Sequence, residues 1–252
     1  MAPSAADDDE ILRELVARSV RRDPPVPQFR SLAGARQYRA LYALVRREIP
    51  AGARVLDWGT GVGHFSYFLT RAGYRATGYS IEGVSEAGWL DQPFERWVTG
   101  SKQDPVHLPF ADGEFDAAAS IGVLEHVRET GGDERASLAE LARVLRPGGT
   151  LVCAHFPNRT SWIDLVASRT HRHHHPYRYA RADIVRLARD AGLELVGAGR
   201  YGLLPRNSAH AVLGPLAHTA AGADAWDALD AALGALLNPL CQNWWFVARK
   251  PR

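Results

Sequence analysis

The residues best suited to chemistry begin at Val55-Leu56-Asp57-Trp58-Gly59-Thr60-Gly61-Val62-Gly63. Glycines at alternate positions after an apolar strand let the backbone turn tightly and approach a ligand closely. The helix that follows would aim its N-terminal amides at that ligand. A Gly-rich turn alone is an ambiguous signal, because dinucleotide enzymes use a similar device. Here an acid, Asp57, stands just before the first glycine. A pyrophosphate site has no use for that carboxylate. A ligand with an ammonium group and ribose hydroxyls does. The other reading of Asp57 is a carboxylate that caps the turn.

Three further segments follow in order. The first is Asp104-Pro105-Val106-His107-Leu108-Pro109-Phe110-Ala111-Asp112-Gly113-Glu114-Phe115-Asp116. The second is Ser120-Ile121-Gly122-Val123-Leu124-Glu125-His126-Val127. The third is Leu141-Ala142-Arg143-Val144-Leu145-Arg146-Pro147-Gly148-Gly149. With the Gly-rich turn, they resemble the motifs of the class I S-adenosylmethionine-dependent methyltransferases over about residues 50–200. The resemblance implies a Rossmann-like fold and S-adenosyl-L-methionine as cofactor, with S-adenosyl-L-homocysteine as product. It also implies roles. Asp57 and the turn Gly59, Thr60, Gly61 would hold the methionine end, and Asp104 would accept from the adenine amino group. Ser120, Ile121 and Gly122 would line the sulfonium side through their backbone. Tyr38, in a segment that often folds over the cofactor in this family, either closes on the methionine carboxylate with a nearby arginine or packs in the core.

Two departures from the family pattern stand out. An acid usually ends the second strand and grips the ribose. Here that place reads Ser80-Ile81-Glu82, so Glu82 substitutes from the loop or the grip is weakened. Pro105 follows the adenine-binding acid and has no N–H to offer the ring. Glu82 also lies about 20 residues beyond the last glycine, as a dinucleotide-dependent oxidoreductase would require. The acid-led glycine spacing and the Leu-Glu-His segment argue against that class. A third class keeps the fold and binds the cofactor for non-methylating chemistry or sensing.

Methyl transfer from a sulfonium is an in-line displacement, and a hydroxyl acceptor must also lose a proton. Histidine is the natural base. The candidates are His126 after the fourth strand, His155 at the end of the fifth, and His174 within His171-Arg172-His173-His174-His175. His126 serves either as base or as a bond that orders its loop. The histidine run is a substrate contact or a solvated loop. A contiguous run seldom orients imidazoles around an ion, so no metal ligand is assigned. The acceptor is read as a small molecule, with oxygen favoured on a saccharide, lipid or secondary metabolite.

Periodicity supplies the elements that must position these groups. A helix starts near Asp9, with Ile11, Leu12, Leu15 and Val16 on one face, and a second spans about Ser31 to Glu48. Strands are expected at Arg54–Leu56, Tyr74–Tyr79, Arg96–Val98, Phe115–Ile121, Thr150–Phe156, Leu193–Val196 and Trp244–Ala248. Helices are expected at His64–Ala72, around Leu138, Leu141, Ala142 and Leu145, and around Ile184–Ala188. The result is an α/β chain with a seven-stranded, mostly parallel sheet, helices on both faces and an antiparallel last strand. The divisions are a cap (1–50), a cofactor-binding core (51–201) and a helical insertion with the last strand (202–252). The insertion is a substrate cap or the surface of a homodimer.

The 252 residues are 46% apolar, with 30 Lys and Arg against 28 Asp and Glu. That balance gives no basis for nucleic-acid binding. No apolar run is long enough to cross a membrane, the acidic N-terminus does not resemble a signal peptide, and the two cysteines read as buried thiols, so a cytoplasmic location is expected.

Overall fold

Val55 and Leu56 are adjacent, fully buried, and packed into different cores. Successive strand residues point to opposite faces, so a strand apolar at both positions must be covered on both sides. The computed structural model, which describes residues 7–82, 88–91, 93–171 and 174–252, shows that arrangement. The strands are β1 (Arg54–Trp58), β2 (Arg75–Ser80), β3 (Arg96–Thr99), β4 (Phe115–Ile121), β5 (Leu145–Pro157), β6 (Glu194–Tyr201) and β7 (Asn243–Arg249). They form one sheet in the order β3-β2-β1-β4-β5-β7-β6. All neighbours are parallel except β7, which runs antiparallel to both β5 and β6.

One face carries α1 (Asp8–Ser19), α3 (Arg39–Glu48) and α4 (His64–Arg71), whose Ile11, Tyr42, Phe65 and Phe68 pack on Val55 and Ala117. The other carries α5 (Glu134–Val144) and α7 (Arg181–Asp190), whose Leu138, Leu141 and Ile184 pack on Leu56 and Ala118. The chain reverses its winding between β1 and β4, and ligands of open α/β sheets bind at such a switch.

Three expectations need correction. The helix expected from Ser31 to Glu48 is in pieces: α2 (Leu32–Ala35), a 3-10 turn at Arg36–Tyr38, then α3. A Cβ on Gly34 would stand 3.1 Å from the Gln28 carbonyl and 3.2 Å from that of Arg206. The chain thus passes close to other backbone here, and the tighter turn carries Arg36 inward, where its side chain is 3% exposed. Leu145, expected on a helix face, opens β5 instead. It pairs with Phe115, and a register shift beside Phe115 absorbs the irregular residues that follow. Finally, α6 (Trp162–Arg169) is a helix that periodicity does not predict. Ser161 caps it by accepting from the Asp164 amide at 3.1 Å.

The insertion holds α8 (Ala209–Leu213) and α9 (Ala220–Leu236). Ala209, Ala217, Ala223 and Trp226 bury themselves against Leu32 and Ala33, so the insertion rests on the N-terminal cap. Ion pairs close the same contact. Arg36 pairs with Asp224, with Asp9 at 3.3 Å and with Asp227 at 3.9 Å. Arg206 pairs with Asp227 and, at 2.7 Å, with Asp230. Both cysteines are buried free thiols. Among the described residues no helix is long and apolar enough to cross a membrane.

Candidate active site

A cleft of about 1270 Å³ opens at the C-terminal ends of β1 and β4. Its floor includes Asp57, Gly59, Thr60, Gly61 and Gly122, and its roof comes from residues 22–28, Tyr38, α6 and residues 205–208. Drug-sized ligands occupy pockets of about 300–1,000 Å³, so this cleft has room for a cofactor and a second molecule together.

Asp57 is the next-to-last residue of β1 and is 2% exposed. It accepts from the Ser66 hydroxyl at 2.5 Å. Burial pushes its carboxyl up to about 7, and the bonds from Ser66 offset only part of that. A buried carboxylate without a paired cation is costly, so the folded chain holds this carboxyl more readily in its neutral form. Gly59 has φ +78°, and a Cβ there would meet the Val123 methyl carbons at 2.4 and 2.5 Å. Gly59→Ala is therefore expected to cost about 1–3 kcal/mol, from left-handed backbone strain and overpacking. A urea melt with an unchanged midpoint would contradict this.

The turn's amides are partly committed. Gly59 and Thr60 both donate to the Tyr79 carbonyl, at 2.8 and 3.0 Å. The Thr60 hydroxyl donates to the Asp57 carbonyl at 2.9 Å and accepts from the Tyr79 amide at 3.0 Å. Thr60 thus ties the end of β1 to β2, and Gly61 is left as the open glycine of the turn, with only the Gly59 carbonyl within 4 Å of a notional Cβ.

The residues expected around adenosine lie outside the cleft lining. Ser80 ends β2, and its hydroxyl accepts from the Glu82 amide at 3.0 Å. The Glu82 side chain is 72% exposed and pairs with Lys102 at 3.1 Å. Asp104 is exposed and accepts from the His107 amide at 3.2 Å, closing a turn that contains Pro105. Ile81 is partly buried against the α5 side of the sheet. Ser120 is fully buried at the position paired with Cys153. Its neighbours Ile121 and Gly122 reach the cleft instead.

Tyr38 is on the cleft wall, its ring centroid 4.9 Å from that of His64 and 5.1 Å from that of His155. The nearby arginines, Arg36 and Arg39, face the aspartates of the cap and insertion. His155 adopts left-handed φ +57° where the β5–β7 register shifts. The Tyr201 hydroxyl accepts from its amide at 2.8 Å. Burial, with His175 nearby, pulls its imidazole down to about 4, so it is neutral at pH 7. His64, at the start of α4, is pulled down to about 3 by burial and by His155. Sequence reasoning misses His64 as a site residue. Its signal is its place directly after Gly63.

His126 lines the cleft, its Nδ1 3.0 Å from Glu129 and its Nε2 3.9 Å from Glu125. In the histidine run, the cleft residue is His175 rather than His174. Asp164 on α6 reaches back to bond the His175 amide at 3.1 Å and its ring Nδ1 at 2.9 Å, turning that residue inward. Arg172 and His173 fall outside the described residues. Glu125 is a second site residue that sequence reasoning misses. It is 3% exposed, and burial raises its carboxyl to about 8.

Residues 30–198, about two thirds of the chain, match a family model described as a methyltransferase domain. The chain belongs to the class I S-adenosylmethionine-dependent methyltransferase family. S-adenosylmethionine is that family's cofactor, and the assignment displaces the oxidoreductase reading. The domain is 32% identical over 145 residues to the methyltransferase GfsG of Streptomyces halstedii, covering 54% of this chain and 49% of that protein. It is 34% identical over 131 residues to the demethylmenaquinone methyltransferase of Renibacterium salmoninarum, covering 52% of each. The chain thus spans about half the length of the curated relatives it matches. Among solved structures, it resembles the 1,6-didemethyltoxoflavin-N1-methyltransferase of Burkholderia thailandensis with a TM-score of 0.56 and 21% identity. That match covers 100% of this chain and 93% of the other.

Proposed function

We propose that the chain transfers a methyl group from S-adenosylmethionine to a small molecule, with an oxygen acceptor favoured. The observation that carries the reading is one continuous cleft with two chemical ends. Asp57 and the Gly59–Gly61 turn suit the methionine end of the cofactor. His155, His126 and Glu125 crowd the other end, beneath the roof from α6 and residues 205–208. Small-molecule acceptors of relatives such as demethylmenaquinone methyltransferase support the substrate class. The residues expected around adenosine, Ser80, Ile81, Glu82, Asp104 and Pro105, lie at or after the ends of β2 and β3 outside the lining of this cleft, so the reading rests on the methionine end and not on them. The bound cofactor supplies an electrophilic methyl group on a sulfonium.

The protein's own part is to align an acceptor, exclude water and take a proton. For a hydroxyl acceptor, the new bond is oxygen to methyl carbon and the broken one is carbon to sulfur, whose electron pair stays on sulfur. The hydroxyl proton passes to the base. His155 suits that role: it is neutral at pH 7, and its Nε2 is buried with no hydrogen-bond partner among the described residues. His155→Asn is expected to lower kcat by about 100-fold or more, as loss of a general base does, while cofactor affinity stays within about twofold. The test measures S-adenosylhomocysteine release over a panel of hydroxyl, amine and carbon acceptors. A chain that binds the cofactor and methylates none of them would support the non-methylating reading instead.

A further inference from the structure

We propose that Glu125, His126 and His175 form a site for a divalent transition-metal cation at the acceptor end of the cleft. One ligand atom from each lies within 4.8 Å of the others. Ligands about 2.0–2.1 Å from a cation sit roughly 3.0–3.4 Å apart, so a closing movement of about an ångström completes the set. His126 has room for that movement, since its side chain is 37% exposed.

Three observations point to a cation. The first is the donor chemistry. Two imidazoles and one carboxylate, with Glu125 and His126 on one 3-10 turn, His175 beyond α6 and the cleft open beside them, are a ligand set that suits iron, cobalt, nickel or zinc and leaves positions for another molecule. The second is the support behind each imidazole. Metal-bound histidine almost always has its other ring nitrogen on a carboxylate or carbonyl. Here Glu129 stands 3.0 Å from Nδ1 of His126, and Asp164 2.9 Å from Nδ1 of His175. Asp164 is itself fixed by the Ser161 hydroxyl at 2.6 Å. The third is Glu125, whose Oε2 is buried without a hydrogen-bond partner among the described residues. Buried polar atoms normally have partners, and each exception calls for an ion, a water or a chemical role.

Glu125 and His126 are adjacent on the 3-10 turn after β4 (Leu124–Thr130), and Asp164 on α6 holds the distant His175 beside them. That separates this site from the contiguous run His171–His175, whose spacing alone makes a poor chelate. A cation held here would coordinate an acceptor that presents two neighbouring oxygens and favour its ionised form. In that use the inference rests on the methyl-transfer reading, but cation binding itself does not.

The test is therefore made on the protein alone, by titrating Co2+ and following both its visible absorption and the heat of binding. One equivalent should bind at micromolar concentration. Glu125→Gln and His175→Asn should each weaken binding by about tenfold or more, with circular dichroism and melting midpoint confirming that both variants fold. Asp57→Asn should bind Co2+ normally while losing S-adenosylmethionine, so the two ends of the cleft fail separately. No saturable Co2+ binding by the wild type would overturn the proposal. So would binding that survives both substitutions, since it would then belong to other histidines.

Discussion

Asp57→Asn is expected to lose cofactor binding by about 100-fold or more and yet to stabilise the empty protein at pH 8. Both effects come from one buried carboxyl. Burial holds it at about 7 in the folded chain against an ordinary value of 3.8. The folded state therefore binds more protons than the unfolded state between those two values. By linkage, stability falls as pH rises from about 4 to about 7 and is level beyond. A tenfold change in proton affinity corresponds to about 1.4 kcal/mol, so the ionised group is a considerable burden on the empty fold. Asparagine escapes that burden and keeps an oxygen to accept from Ser66, so a gain of about 1–3 kcal/mol is expected at pH 8 and little at pH 4. Glu125, raised to about 8 by burial, adds a slope of the same sign that the variant leaves in place. Calorimetric titration with S-adenosylmethionine and urea melts at both pH values check the two halves. A variant that melts more easily at pH 8, or still binds tightly, would refute the assignment.

Arg36→Leu should produce the largest loss of stability away from the cleft, about 3 kcal/mol, because removing one partner of a buried ion pair leaves the opposite charges uncompensated. Those charges are Asp9, Asp224 and Asp227, and Arg36 itself is 3% exposed. Part of the effect is discounted because Asp224 is 60% exposed and its carboxylate stays hydrated. The substitution should also speed amide exchange in α9 more than in β1 or β4, since Arg36 joins the cap to the insertion. Adding Asp9→Asn and Asp227→Asn should recover part of the loss, because both remove stranded negative charge. A single variant within about 0.5 kcal/mol of wild type, the range of an ordinary surface substitution, would show that the pairs are cosmetic.

Sequence patterns are most informative where one residue type has one physical use. The short apolar run of β4 and the glycines after β1 leave little freedom, and each strand overlaps the segment where periodicity places it, although β5 opens earlier, at Leu145, and β6 runs on to Tyr201. The splitting of the second helix is hidden because its cause, the approach of Gln28 and Arg206 to Gly34, comes partly from distant sequence. The candidate site is legible at its floor and obscure at its roof. Asp57, Gly61, Gly122 and His126 are local to recognisable segments. His175 is masked by a run of similar residues, and Asp164 on an unanticipated helix is what distinguishes it. The capping pattern Ser161-x-x-Asp164 is a usable signal for that helix. Glu125 has none beyond its place beside His126, because a buried carboxyl is invisible until the surrounding packing is known.

The cleft's floor and roof are encoded in different stretches of chain, the floor largely within residues 57–65 and 121–126 and the roof within 22–28, 37–38, 162–170 and 205–208. Stretches that meet only in space are free to diverge at different rates. Under the proposed function, an exchange of the roof would alter the acceptor end without touching the turn from Asp57 to Gly61. The clamp of Arg36 and Arg206 on Asp224, Asp227 and Asp230 limits such an exchange. A roof grafted from another chain would need matching charges before it could seat, so these five residues would have to be exchanged as a set.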